Sequence, residues 1–216
     1  MLIEANSKLV MIGDSITDCG RAQPVGEGRG EEYGRGYVAL VNGFIGAVFP
    51  ERNVRVVNMG TSGNTVRDLK VRWQRDVLEQ QPDWLSIMIG INDVWRQFDL
   101  PLQKEIHVGL GEYRATLEEL IKSTKPILKG LILMTPYFIE PSVTDPMRGM
   151  MDRYGEVVQV LAQKHGVIFV DTQAAFTNVL QHCHSAALAW DRVHPNMTGH
   201  MILAQAFLDA VQFNVK

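Results

Sequence analysis

Four short segments carry the residue types that acyl transfer needs: Gly13-Asp14-Ser15-Ile16-Thr17, Asn58-Met59-Gly60-Thr61-Ser62-Gly63-Asn64-Thr65, Gly90-Ile91-Asn92-Asp93 and Asp191-Arg192-Val193-His194-Pro195. A serine hydroxyl is a weak nucleophile until a base takes its proton, and the base needs a fixed tautomer, which a carboxylate on its Nδ1–H supplies. Three residues' separation lets one turn carry Asp191 and His194 toward the same point. Ser15 is then the expected nucleophile, His194 its base and Asp191 the group that orients the base. Glycine in the second segment lets backbone approach a substrate closely with its N–H available, and Asn92 brings an uncharged amide donor. Pro195 restricts His194 to extended backbone and suits the first turn of a following helix.

Each segment also has a plainer reading. Asp14, Ser15 and Thr17 are ordinary capping residues, the second segment reads as a turn into a helix, and Asn92 could cap a helix of its own. A lone Asp-x-x-His is as compatible with a structural or metal-ligand pair as with catalysis. What favours chemistry is that each segment supplies a different part of one mechanism, at the same kind of place in the fold.

That place follows from the pattern of elements. Short apolar runs recur at Leu9 to Ile12, Val54 to Val57, Trp84 to Ile89, Gly130 to Met134 and Val167 to Val170. Helix-length amphipathic segments lie between and after them: Tyr37 to Phe49, Thr65 to Glu79, Lys104 to Ser123, Asp145 to His165 and Pro195 to Phe213. Such alternation predicts five parallel strands covered on both faces, with right-handed crossovers. Gly20 to Gly36, Phe98 to Gln103 and Tyr137 to Pro146 read as loops. Ligands of open parallel sheets gather beyond the carboxyl ends of the strands, and the first three segments directly follow strands.

Composition bounds the remainder. The chain has 216 residues, 46% of them hydrophobic, and we read residues 1–216 as one domain. A net charge of −3 gives no surface for nucleic-acid phosphates or anionic lipid. No apolar run approaches the roughly 20 residues of a membrane span, and Leu9-Val10-Met11-Ile12 is too short for a signal-peptide core, so a cytoplasmic protein is expected. Cys19 and Cys183 match no metal or redox motif. His182-Cys183-His184 lacks further ligands at recognised spacing, and no metal site is expected. His107, His165 and His200 read as structural or exposed. Trp95 and Trp190 each lie within three residues of a proposed catalytic residue, where flat aromatic faces suit sugar rings, although both also suit a wall or core role.

At these residues the sequence resembles the GDSL, or SGNH, hydrolase family, whose four blocks match Gly13-Asp14-Ser15-Ile16, Gly60 with its flanking Asn58, Gly90-Ile91-Asn92-Asp93 and Asp191-Arg192-Val193-His194-Pro195. Ile16 stands where the family name has leucine. The resemblance implies a flavodoxin-like three-layer α/β/α sandwich around a five-stranded parallel sheet. It also implies a catalytic triad of Ser15, Asp191 and His194, an oxyanion hole formed by Ser15, Gly60 and Asn92, and no cofactor. Asp14, Asn64, Trp95 and Trp190 are the candidate substrate contacts. Gly-x-Ser-x-Gly, the elbow of the α/β-hydrolases, is not met, since Thr17 stands at its last position.

Within the family the likeness is to bacterial intracellular acetylxylan esterases, over stretches such as Ile12 to Arg21, Ser86 to Arg96 and Ala187 to Pro195. This implies acetylated xylo-oligosaccharides or other acetyl-sugars as substrate, and a homo-oligomer. A thioesterase or lysophospholipase acting on longer acyl chains would use the same residues, and a non-catalytic carbohydrate-binding module is the reading from a different class.

Overall fold

The structure, a computed structural model, describes residues 1–214. Five strands, β1 (Lys8–Gly13), β2 (Arg55–Asn58), β3 (Trp84–Met88), β4 (Gly130–Met134) and β5 (Ile168–Val170), form one parallel sheet in the order β2-β1-β3-β4-β5. Leu9 to Ile12 and all of β3 are buried, as strands covered on both faces must be. Helix α8 (Met197–Ala210) packs with α2 (Tyr37–Val48) on one side and α7 (Thr172–Leu180) on the other in one layer. In the other layer α5 (Leu110–Thr124) packs with α3 (Val66–Trp73) and α6 (Pro146–His165). This is the expected α/β architecture. The strand order reverses between β1 and β3, so the crevice at their carboxyl ends is the natural ligand site.

Three helices lie where the hydrophobic pattern predicted none: α1 (Ser15–Asp18), α4 (Ile91–Asp99) and α7. The first two begin inside the motif segments. The helix expected over Lys104 to Ser123 is broken, with a single tight turn at Lys104–Ile106 and α5 starting only at Leu110. Tertiary contacts explain the break. Val108 is buried, and its carbonyl accepts hydrogen bonds from Tyr154 Oη at 2.5 Å and Gln97 Nε2 at 3.2 Å instead of serving a helix. The segment read as one helix over Thr65 to Glu79 is α3 followed by a π-helical turn at Gln74–Leu78. Among the described residues no helix is long and apolar enough to cross a membrane.

Candidate active site

β1 runs into the crevice and ends at Gly13; the Asp14 carboxylate accepts the Ile16 N–H at 3.0 Å and so starts α1. Ser15 is the first residue of that helix, where a backbone N–H has no intrahelical acceptor and is free to face a ligand. Its Oγ lies 2.9 Å from His194 Nε2, although 179 positions separate the two residues. His194 Nδ1 lies 2.7 Å from Asp191 Oδ2. A carboxylate only accepts, so Nδ1 carries the proton in the neutral ring and Nε2 presents a lone pair to the serine hydroxyl.

The turn that holds the base is over-determined. Asp191 Oδ1 accepts the Val193 N–H at 3.0 Å and the His194 N–H at 2.8 Å. Burial acts against the charge of Asp191, yet these bonds and the imidazole hold its carboxyl below the ordinary carboxylate value, so it is ionised near neutrality. Arg192 takes a left-handed φ of 63°, bonds Glu140 at 2.7 Å and lies over the Phe138 ring. Tyr137 Oη donates to Val193 O, tying the turn to the segment after β4.

The second and third motif segments close the crevice from β2 and β3. Gly60 must be glycine: a Cβ there would stand 2.1 Å from Asp18 N and 2.5 Å from Thr17 C, both backbone atoms that cannot move aside. Gly90, ahead of α4, has φ of 131°, which side-chain-bearing residues rarely adopt. Asn92 is 2% exposed, and its Nδ2 donates to Asn64 O at 2.9 Å, leaving the second N–H of the amide uncommitted. The Gly60 N–H already has a partner in Asn58 Oδ1 at 2.9 Å, so a substrate oxyanion must share or displace that bond. Asn58 is itself fixed by donating to Thr17 O and Tyr33 O.

The four candidate substrate contacts separate. Trp95 stands at the site, its ring 5.8 Å from the His194 imidazole in an edge arrangement. Trp190 is 87% exposed and lines a separate open cleft of about 730 Å³ with Leu180, His182 and Arg192; neither Ser15 nor Trp95 is among that cleft's walls. Asp14 is buried under the nucleophile and presents no carboxylate surface to a substrate. Burial raises its pKa to about 7. Asn64 is half-buried, its Oδ1 accepting from Arg72 Nε at 2.6 Å and its carbonyl from Asn92. Asp14 thus supports the site from beneath, whereas Asn64 keeps part of its surface open with both of its oxygens engaged.

Among the described residues no group of three or more His, Cys, Asp or Glu side chains could hold a metal ion. His184 Nδ1 instead accepts the Ala186 N–H as a cap. His200 is buried, which pushes its pKa down to about 4. Its Nδ1 accepts the Tyr37 N–H, leaving Nε2 as the donor toward Cys19 Sγ at 3.4 Å. Two buried cations next to the site belong to no motif. Arg21 donates to Gly60 O at 2.7 Å, and Arg72 reaches the ends of β1 and β2. The signal for Arg72 was its position on the inward stripe of α3, with Val66, Leu69 and Trp73, where a charge is out of place unless it has partners.

Comparison with known proteins agrees with this geometry. A family model described as GDSL-like Lipase/Acylhydrolase family matches residues 11–202. The acetylxylan esterase of Geobacillus stearothermophilus is 62% identical over 213 residues, which span 99% of this chain and 97% of that protein. A crystal structure of that esterase matches with a TM-score of 0.98 at 61% identity, covering 99% of this chain and 98% of that one. Its solved catalytic mutants are S15A, D191A and H194A, with the same residue types and numbers as the three side chains aligned here. An alpha/beta hydrolase enzyme from the metagenome of Lake Arreo, Spain, is 56% identical with a TM-score of 0.97, covering 98% of each chain. The sheet, the aligned Ser15, His194 and Asp191, and these full-length matches together place the chain in the GDSL-like lipase/acylhydrolase family.

Proposed function

We propose that this protein is a serine esterase that removes acetyl groups from acetylated xylo-oligosaccharides, with Ser15, His194 and Asp191 as its catalytic residues. The observation that carries the chemistry is the unbroken relay of 2.9 Å from Ser15 Oγ to His194 Nε2 and 2.7 Å from His194 Nδ1 to Asp191 Oδ2. Ser15 Oγ attacks the ester carbonyl as its proton passes to His194 Nε2, and the carbonyl oxygen becomes an oxyanion. The Ser15 and Gly60 N–H groups and the free Asn92 Nδ2–H are the donors that face that charge. Collapse breaks the bond to the sugar oxygen, which leaves with the proton from His194, and Ser15 keeps the acetyl group. Water then gives a proton to His194 and attacks the acetyl carbonyl, releasing acetate and restoring the serine hydroxyl.

The choice of an acetyl-sugar substrate rests on the Geobacillus relative, an acetylxylan esterase whose solved variants include one described as an acetyl-xylooligosaccharide esterase. Trp95 beside the base supports it as a flat face for a sugar ring. The test is a rate profile over acetyl, butyryl and octanoyl esters and acetylated xylo-oligosaccharides. Rates highest on the acetylated xylo-oligosaccharides are expected, and a preference for acyl chains of eight or more carbons overturns the substrate in favour of a lysophospholipase or thioesterase. Failure of an organophosphonate to label Ser15 would overturn the catalytic reading itself and favour a binding module. A cytoplasmic location, supported by two cysteines that form no disulfide, and a homo-oligomer, supported by the exposed Trp190, complete the proposal. Sedimentation at micromolar concentration tests the latter, and a monomer would refute it.

A further inference from the structure

One side chain outside the relay touches two of the three segments that carry the proposed oxyanion donors and reaches the third through Asn64. Arg72 is 8% exposed, and its guanidinium reaches from α3 under the ends of β1 and β2. Nη2 donates to Gly13 O at 2.8 Å, two residues before Ser15. Nη1 donates to Met59 O at 2.7 Å, in the residue before Gly60. Nε donates to Asn64 Oδ1 at 2.6 Å, and the Asn64 carbonyl in turn accepts Asn92 Nδ2.

The contact with Met59 has a direct geometric result. Met59 C=O and Gly60 N–H belong to one planar peptide and point in opposite directions, so drawing the carbonyl toward Arg72 aims the N–H away from it, toward Asn58 Oδ1 and the crevice. Hydrogen bonding at the carbonyl also polarises the same amide and makes its N–H a better donor. A guanidinium offers five N–H groups in a fixed plane, which is what holding three separate acceptors at fixed angles requires; an ammonium cannot do this. Asp76 Oδ2, 2.8 Å from Nη1, balances the charge, so the contribution of Arg72 is chiefly geometric.

We infer that Arg72 is the positioning residue of the oxyanion hole, its one planar group fixing the β1 and β2 segments directly and Asn92 through Asn64. The inference rests on the esterase reading above. Its test compares the full-length parent with Arg72→Lys, Asn64→Ala and the core control Val41→Ala, using an aryl acetate for kinetics and thermal unfolding for stability. An alkylboronic acid serves as a mimic of the tetrahedral adduct on Ser15, and unacetylated xylo-oligosaccharide as a probe of ground-state binding.

Arg72→Lys is expected to lower kcat about tenfold to a hundredfold with KM within about threefold. Boronate affinity should fall in step with kcat while xylo-oligosaccharide affinity holds. Asn64→Ala, which removes only the Nε acceptor, should show the same pattern at a smaller scale. Val41→Ala should lose stability while keeping kcat. The inference is overturned if folded Arg72→Lys keeps kcat within about threefold, or if boronate and xylo-oligosaccharide binding fall together. Should Arg72→Lys not fold, Asn64→Ala decides alone: unchanged kcat and boronate affinity overturn the inference. A parent that neither hydrolyses the ester nor is labelled at Ser15 overturns the esterase reading as well, whereas an active parent with indifferent variants overturns this inference alone.

Discussion

Asp191→Asn separates the two tasks that Asp191 performs. Oδ1 accepts two backbone N–H groups and so holds the turn, while Oδ2 faces His194 Nδ1 and so sets the tautomer. Asparagine retains the first function because its carbonyl oxygen accepts both N–H groups. Its amide then places N–H donors against Nδ1, which must become the acceptor, and the ring proton moves to Nε2 opposite the serine hydroxyl. The base then has no lone pair to offer. Loss of the correct tautomer alone is worth about 10⁴ in kcat, or about 5–6 kcal/mol of barrier.

Unfolding should hardly change in this variant. Asp191→Ala loses the turn bonds too, and at roughly 1 kcal/mol net for each of two bonds it should melt roughly 4–8 °C lower. Steady-state kinetics on an aryl acetate, with thermal melts of both variants, make the comparison. If Asp191→Asn kept kcat within tenfold of the parent, the tautomer argument would fail. An equal loss of melting temperature in both variants would remove the assignment of Oδ1 to the turn.

Asn92→Ala removes one of the three proposed oxyanion donors and should slow turnover by about 10²–10³-fold with the melt little changed; a near-normal kcat removes Asn92 from that role. Gly60→Ala forces a methyl into the backbone of Thr17 and Asp18, and should either not accumulate as folded protein or lose more than about 99% of activity. Recovery of the variant at parental rate and melting temperature would show that the loop yields. Burial raises the pKa of Asp93 from an ordinary 3.8 to about 7, so the folded state keeps a proton that the unfolded chain has released, and stability drains away as pH rises between those values. Asp93→Asn should therefore gain on the parent with rising pH, by on the order of 4 kcal/mol between pH 4 and pH 8, in urea titrations at both; a pH-independent difference would count against it.

The parallel sheet was legible because fully buried strands write themselves as unbroken apolar runs, as in Leu131 to Met134. The residues of the relay were legible because the chemistry demands particular side chains and the strand ends say where to look. Short helices were not. Ile91–Asp99 starts at Gly90 with no side-chain cap to announce it, Thr172–Leu180 has only the Asp171 cap, and at nine residues each both depend on tertiary contacts. Asp14 and Asn64 both lie inside motif segments. Proximity in sequence does not tell the surface of a crevice from its underside, which depends on Arg72 and the buried backbone around it. The occupied Gly60 N–H was equally hidden, because Asn58 looks like an ordinary turn residue until its side chain is seen folded back on its own loop.

The nucleophile lies on the first helical turn and the base in the last loop, after the whole sheet has been laid down. A chain emerging from a ribosome presents Ser15 long before it has a base, which arrives only when Asp191 to His194 have cleared the exit tunnel. Premature fragments ending before this turn are thus inert, however much of the sheet they form. In refolding, regained hydrolysis reports closure of the 179-residue separation between Ser15 and His194, whereas recovered helix signal does not. The same arrangement suggests a cut between α7 and the Asp191 turn for a two-piece enzyme, in which each piece holds chemistry that the other needs.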